Sequence, residues 1–139
     1  MLKPSRAILS PLLVAAALLF ALPTLAQESP SACAASPKLV GQCFTVHGRL
    51  LTCNGFPGTT IWIVGSKRIL GVTDAMGNVG AGSGRVLPGN LEEQMFGSTP
   101  CSKAAFGDYT VCPLAPDEPG VMRLVCVDRA ARIRFTNDW

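Results

Sequence analysis

The chain has 139 residues, 48% of them apolar and 15% charged, with twelve basic residues against nine acidic ones. That composition excludes a disordered or collagen-like chain and suits one domain rather than two. Lys3 and Arg6 lie in the leader-like first 26 residues, so the remainder carries ten basic against nine acidic side chains. No strong net charge is left to argue for nucleic acid or an anionic membrane as partner.

Residues 1–26 have the three parts of a cleavable secretory signal. Lys3 and Arg6 form the positive start, LLVAAALLFAL (12–22) the apolar core, and Thr24-Leu25-Ala26 the small-residue cut site before Gln27. An eleven-residue core is far short of the roughly 20 residues that span a bilayer. Cys33 is too distant, and Pro30 too unlike an aliphatic residue, for a lipoprotein signal. The expectation is a periplasmic or secreted protein with no transmembrane segment after cleavage. The remaining 113 residues bury roughly two-thirds of their unfolded surface, enough for a core.

Residues 27–38 are rich in Ser, Ala and Pro and read as a flexible lead-in, with a single β-domain over 39–139. From Cys43 the pattern has period two. Phe44, Val46, Gly48 and Leu50 point one way; Thr45, His47 and Arg49 point the other. Asn54-Gly55 and Pro57-Gly58 are turn pairs, and TTIWIV (59–64) and RILGV (68–72) continue as strands. Residues 73–88 are glycine-rich and read as a loop. Asn90 with Glu93 forms a capping-box pattern for a short helix over 91–96, laying Leu91 and Met95 over a sheet edge. GDYTVC (107–112), VMRLVCVD (121–128) and ARIRF (131–135) complete six short strands, with Ile133 and Phe135 inward and Arg132 and Arg134 outward. PLAPDEPG (113–120) is a proline-rich turn. The pattern predicts a mainly β fold: a small antiparallel β-sandwich or barrel with one short helix.

The six cysteines are Cys33, Cys43, Cys53, Cys101, Cys112 and Cys126. In an exported chain they read as three disulfides. Cys112 and Cys126 have their midpoint at Pro119, so a symmetric hairpin would set them face to face. That is the best single pair among fifteen connectivities. One of Cys43 and Cys53 is expected to reach the lead-in through Cys33.

His47 is the only histidine. The cysteines near it lack the close pairs of a zinc site, so no metal and no cofactor are expected. Oxidised thiols leave no Cys-His nucleophile, and no G-x-S-x-G elbow accompanies a serine reading. GNVGAGSGR (77–85) lacks the G-K-[ST] of a phosphate loop. TDAMGN (73–78) has a single carboxylate, Asp74, where a calcium loop alternates several, so a side-chain-closed turn is expected. Trp139 ends the chain with an aromatic residue, but the length leaves no room for an outer-membrane barrel.

VHGRLLTCNGFPGTTIWIV followed by TDAMGNVG resembles the opening of transthyretin-like and carboxypeptidase-regulatory-like domains. That likeness implies a seven- or eight-stranded sandwich used for binding, without catalytic residues. CFTVHGRL, IWIVGSKRILGV, FGDYTVCP and PGVMRLVCV together resemble a group of small exported bacterial proteins of unknown function, which implies an envelope location.

The leading expectation is a non-enzymatic exported module that binds a protein or envelope component through residues 73–89 and 113–120. Inhibition of a secreted hydrolase is its sharpest form. The alternative is a small periplasmic enzyme with catalytic His47 and Arg49 and with Asp108 or Asp128 as partner carboxylate. A His47–carboxylate hydrogen bond inside a concave pocket would favour that alternative.

Overall fold

The computed structural model describes residues 31–79, 86–89 and 91–137. The signal-like residues 1–26, the start of the lead-in, residues 80–85 of the glycine-rich stretch, Asn90 and Trp139 lie outside the described residues.

Five strands and one helix follow in order: β1 (Phe44–Thr52), β2 (Thr59–Ile63), β3 (Ile69–Thr73), α1 (Leu91–Phe96), β4 (Ala104–Pro113) and β5 (Arg123–Thr136). They close into a barrel in the order β1-β2-β3-β5-β4. β1, β2 and β3 form the expected meander, with Gly48 opposite Ile63 and Thr60 opposite Gly71. β4 returns to pair antiparallel with β1, and β5 closes the barrel antiparallel to β4. The β3–β5 pairing is parallel, a departure from the expected all-antiparallel arrangement. A five-stranded Greek-key barrel of this kind, with its helix between β3 and β4, has the architecture called the OB-fold.

The alternation in β1 works as its sequence implies. Leu50 is fully buried, and Phe44 and Val46 pack against the same core. That core is completed by Ile61, Leu70, Val72, Tyr109, Val111 and Val125, among others. Tyr109 is fully buried, donates its hydroxyl to the carbonyl of Ala105 at 2.6 Å, and has its phenol pKa pushed up by burial. The helix forms over the expected residues, but Leu91 and Met95 enter the core itself rather than a sheet edge. Glu92 accepts hydrogen bonds from the amides of Val86 and Leu87, fixing the approach to the helix.

The expected fifth and sixth strands are one strand. β5 runs through both, with register shifts against β4 between Phe106 and Asp108 and between Thr110 and Val111. Such bulges let a strand bend without ending. Arg132, in the first of them, takes a left-handed conformation with φ 54°. Gly107 lies opposite, where a Cβ would stand 2.4 Å from the Ile133 Cδ1 and 2.8 Å from the Ala131 carbonyl oxygen. Ile133 packs against the core as expected, whereas Phe135 is 42% exposed at the rim beneath the ammonium of Lys103.

Three disulfides staple the barrel: Cys33–Cys126, Cys43–Cys112 and Cys53–Cys101. The expected Cys112–Cys126 bridge is therefore replaced, although its register is right, since Cys112 does face Cys126 across β4 and β5. Cys112 has a second cross-strand neighbour. Cys43 extends the β1–β4 register by one residue, with a Cα–Cα distance of 4.0 Å. Cys126, and not Cys43 or Cys53 as expected, then takes Cys33, which is buried, so the lead-in is tied to the barrel. Ser36 adds a hydrogen bond to the carbonyl of Ala75 at 2.6 Å.

Candidate functional site

Two surfaces of the barrel carry chemistry. The first is the outer wall of β1, β4 and β5, where residues outside the core alternate with those inside it. His47 lies directly opposite Asp108, and its Nδ1 is 2.9 Å from Oδ1 of that carboxylate. The guanidinium of Arg132 meets Oδ2 of Asp108 as an ion pair, although that oxygen accepts no well-aligned hydrogen bond. The Asp108 side chain is 13% exposed, against 58% for His47 and 83% for Arg132. A shielded carboxylate thus holds two exposed cationic or polar groups. One row away, Thr45 and Thr110 share a hydrogen bond at 3.1 Å.

The other sequence-derived candidates are not drawn into this group. Arg49 leaves His47 and lies over the Trp62 ring on β2, 5.7 Å from its centroid, with a buried Nε that has no partner among the described residues. Asp128 sits beside its neighbour Arg129 at 3.6 Å, with Oδ1 buried and without a hydrogen-bond partner among the described residues. So the structure supplies the carboxylate partner that a histidine-based site needs, but on a barrel wall. Neither cavity described below is lined by His47 or Asp108.

The second surface is a cleft of about 570 Å³ between the β2–β3 turn and the β4–β5 loop. Lys67, Arg68 and Ile69 form one side; residues 117–122 form the other. Arg68 grips Asp117 through both guanidinium nitrogens, at 3.1 and 2.5 Å. The hydrogen bond from Arg68 holds the Asp117 carboxyl below its usual range, and the guanidinium is correspondingly raised. Val121 (57%), Ile69 (45%) and Met122 (39%) stay exposed. The loop is fixed from within, because Leu114 and Leu124, Glu118 and Val121, and Arg123 and Ala115 are hydrogen-bonded pairs. Farther along β3, Pro57, Leu124 and Met122 converge on Gly71, where a Cβ would meet all three within 3.1 Å. Beside them Phe56 is 86% exposed on the β1–β2 loop.

A smaller cavity of about 290 Å³ lies at the barrel mouth beside Cys53, lined in part by Val72, Val86 and Met95 of the core. Asp74 closes the expected turn by accepting from the amides of Met76 and Asn78 and from the Asn78 side chain. Burial opposes its ionisation, but these bonds and the charge of Lys38 together keep its pKa below the usual value. Among the described residues, no three His, Cys, Asp or Glu side chains are grouped to hold a metal ion, and no helix is long and apolar enough to cross a membrane.

Sequence reasoning missed Arg132 as a partner of Asp108. The bulge that aims it has no local signal beyond Gly107 opposite. It also missed Lys67, Ile69, Val121 and Met122, though the proline-rich turn pointed to that end of the barrel. The chain matches no family model, no curated protein and no solved structure.

Proposed function

We propose that this is an exported, non-enzymatic binding module of the bacterial envelope, and that it contacts a protein or envelope component through the cleft beside the β4–β5 loop. The observation that carries the reading is the set of exposed apolar side chains that face one cleft, Ile69 at the start of β3 and Val121 and Met122 on a loop held by its own hydrogen bonds. A rigid loop loses little entropy on binding, and apolar groups left in water gain most when a partner covers them. Inhibition of a secreted hydrolase by this loop is the sharpest form of the reading. Strand 2–3 faces and the 1–2 and 4–5 loops serve as ligand surfaces in OB-folds; that support is fold analogy only. Export is supported by the signal-like residues 1–26 together with three disulfides.

The test is affinity capture from envelope extract with oxidised protein, against a reduced and alkylated control. One component enriched by the oxidised form alone is the expected result. Equal recovery from both forms would contradict a folded recognition surface.

One observation favours a second reading, a small periplasmic enzyme at His47. Its Nδ1 bond to Asp108 is the arrangement that orients an imidazole as a general base. Loss of a hydrolytic activity in His47→Ala, with unchanged thermal unfolding, would establish it over the binding module.

A further inference from the structure

The β1–β4–β5 wall concentrates charge that the near-neutral composition conceals. Its cross-strand rows place Arg129 with Thr45 and Thr110, Ala131 with His47 and Asp108, and Arg134 with Arg49 and Phe106. Arg132 stands in the bulge beside the middle row and pairs with Asp108. Three exposed guanidiniums, those of Arg129, Arg132 and Arg134, thus share one wall with two carboxylates, Asp108 and Asp128, while Arg49 turns aside onto Trp62. Both carboxylates are shielded, at 13% and 9% exposure, whereas Arg129 and Arg132 are more than 80% exposed. The positive groups face water and the negative ones lie beneath them.

Arg132 also occupies a backbone conformation that a side chain other than glycine adopts at a cost. A strained position that keeps a charged residue is a recurrent mark of function. Asp108 uses one oxygen to hold His47 and the other to hold Arg132. The rest of the Arg132 fork points to solvent, and guanidinium geometry matches phosphate oxygens. Neighbouring same-face rows are spaced roughly 7 Å apart, so Arg129 and Arg134 flank the middle row at a distance suited to a second phosphate.

We propose that this wall is a binding site for a phosphate-bearing ligand, in which Asp108 is a positioning residue that sets His47 and Arg132 around the first phosphate while Arg129 or Arg134 takes the next. None of the residues that line the cleft belongs to this site.

Inorganic pyrophosphate is the soluble probe, read by calorimetry and by amide shifts of the wall strands. Phosphatidylcholine vesicles with and without phosphatidic acid form the second arm. Binding to pyrophosphate assigns a free phosphate compound. Binding only to vesicles that contain phosphatidic acid assigns a lipid headgroup. Arg132→Gly should weaken the observed binding about tenfold, as loss of a charge-assisted contact does. The same change should hold or raise the melting temperature, because glycine suits the left-handed backbone. Asp108→Asn gives the sharper contrast. A merely basic surface would bind anions more tightly once a negative charge is removed, whereas a built site loses affinity because His47 and Arg132 are no longer held. No binding in either arm, or tighter binding by Asp108→Asn, would overturn the proposal.

Discussion

The β1–β4–β5 wall and the cleft beside the β4–β5 loop share no lining residue and leave different groups in water. On the wall polar side chains are already paired with one another, His47 with Asp108, Asp108 with Arg132 and Thr45 with Thr110, while the buried Oδ2 of Asp108 and Oδ1 of Asp128 accept no hydrogen bond among the described residues. In the cleft a single ion pair, Arg68–Asp117, borders apolar side chains that nothing covers. The contrast teaches what each surface can hold. Prearranged charge suits a small anion and should be sensitive to salt. Exposed apolar groups on a fixed loop suit a larger partner, and burial rather than charge would supply the affinity.

Unstapling the wall should have the largest effect. Cys43→Ser/Cys112→Ser opens a link between residues 69 apart, which the chain-entropy argument values at about 4 kcal/mol. Denaturant unfolding should show that loss, and the His47–Asp108 pairing should loosen with it. Gly107→Ala is next. Its Cβ meets backbone as well as the Ile133 side chain, so a loss of about 1–3 kcal/mol is expected by overpacking, again by denaturant titration. Cleft changes should cost far less. Val121→Asp/Met122→Asp alters exposed side chains and should shift stability by no more than about 0.5 kcal/mol, so any loss of partner binding belongs to the surface. Asp117→Asn should leave the melting temperature unchanged at neutral pH, because the ion pair is solvent-exposed. With its folded pKa lowered, Asp117 adds what little stability it offers above the unfolded carboxylate pKa and loses it as pH falls through the folded one. Any difference between wild type and Asp117→Asn should therefore vanish in acid.

Much of the barrel was legible because its strands are short and carry period-two patterns: β1 and β2 show it plainly, and Leu91 and Met95 mark the helix. The hairpin midpoint at Pro119 correctly set Cys112 opposite Cys126. What it could not reveal is that barrel closure brings Cys43 to the other side of Cys112. That neighbour depends on a pairing between strands far apart in sequence, as does the parallel contact of β3 with β5. β5 read as two strands because Asp128 and Arg132 sit at its bulges, where alternation fails. The same bulge hid Arg132 from the candidate site, while Asp108 was visible as one of two possible partners for His47. Near-neutral net charge hid the wall altogether, since a sum is blind to segregation.

The most direct measurement is capture from envelope extract with four oxidised proteins in parallel: wild type, Val121→Asp/Met122→Asp, Asp108→Asn and Arg132→Gly. One envelope component should be enriched by wild type and by both wall variants, and lost from the cleft variant at unchanged melting temperature. Enrichment that survives the cleft change, or that disappears only with the wall changes, would contradict the assignment of the cleft as the partner surface.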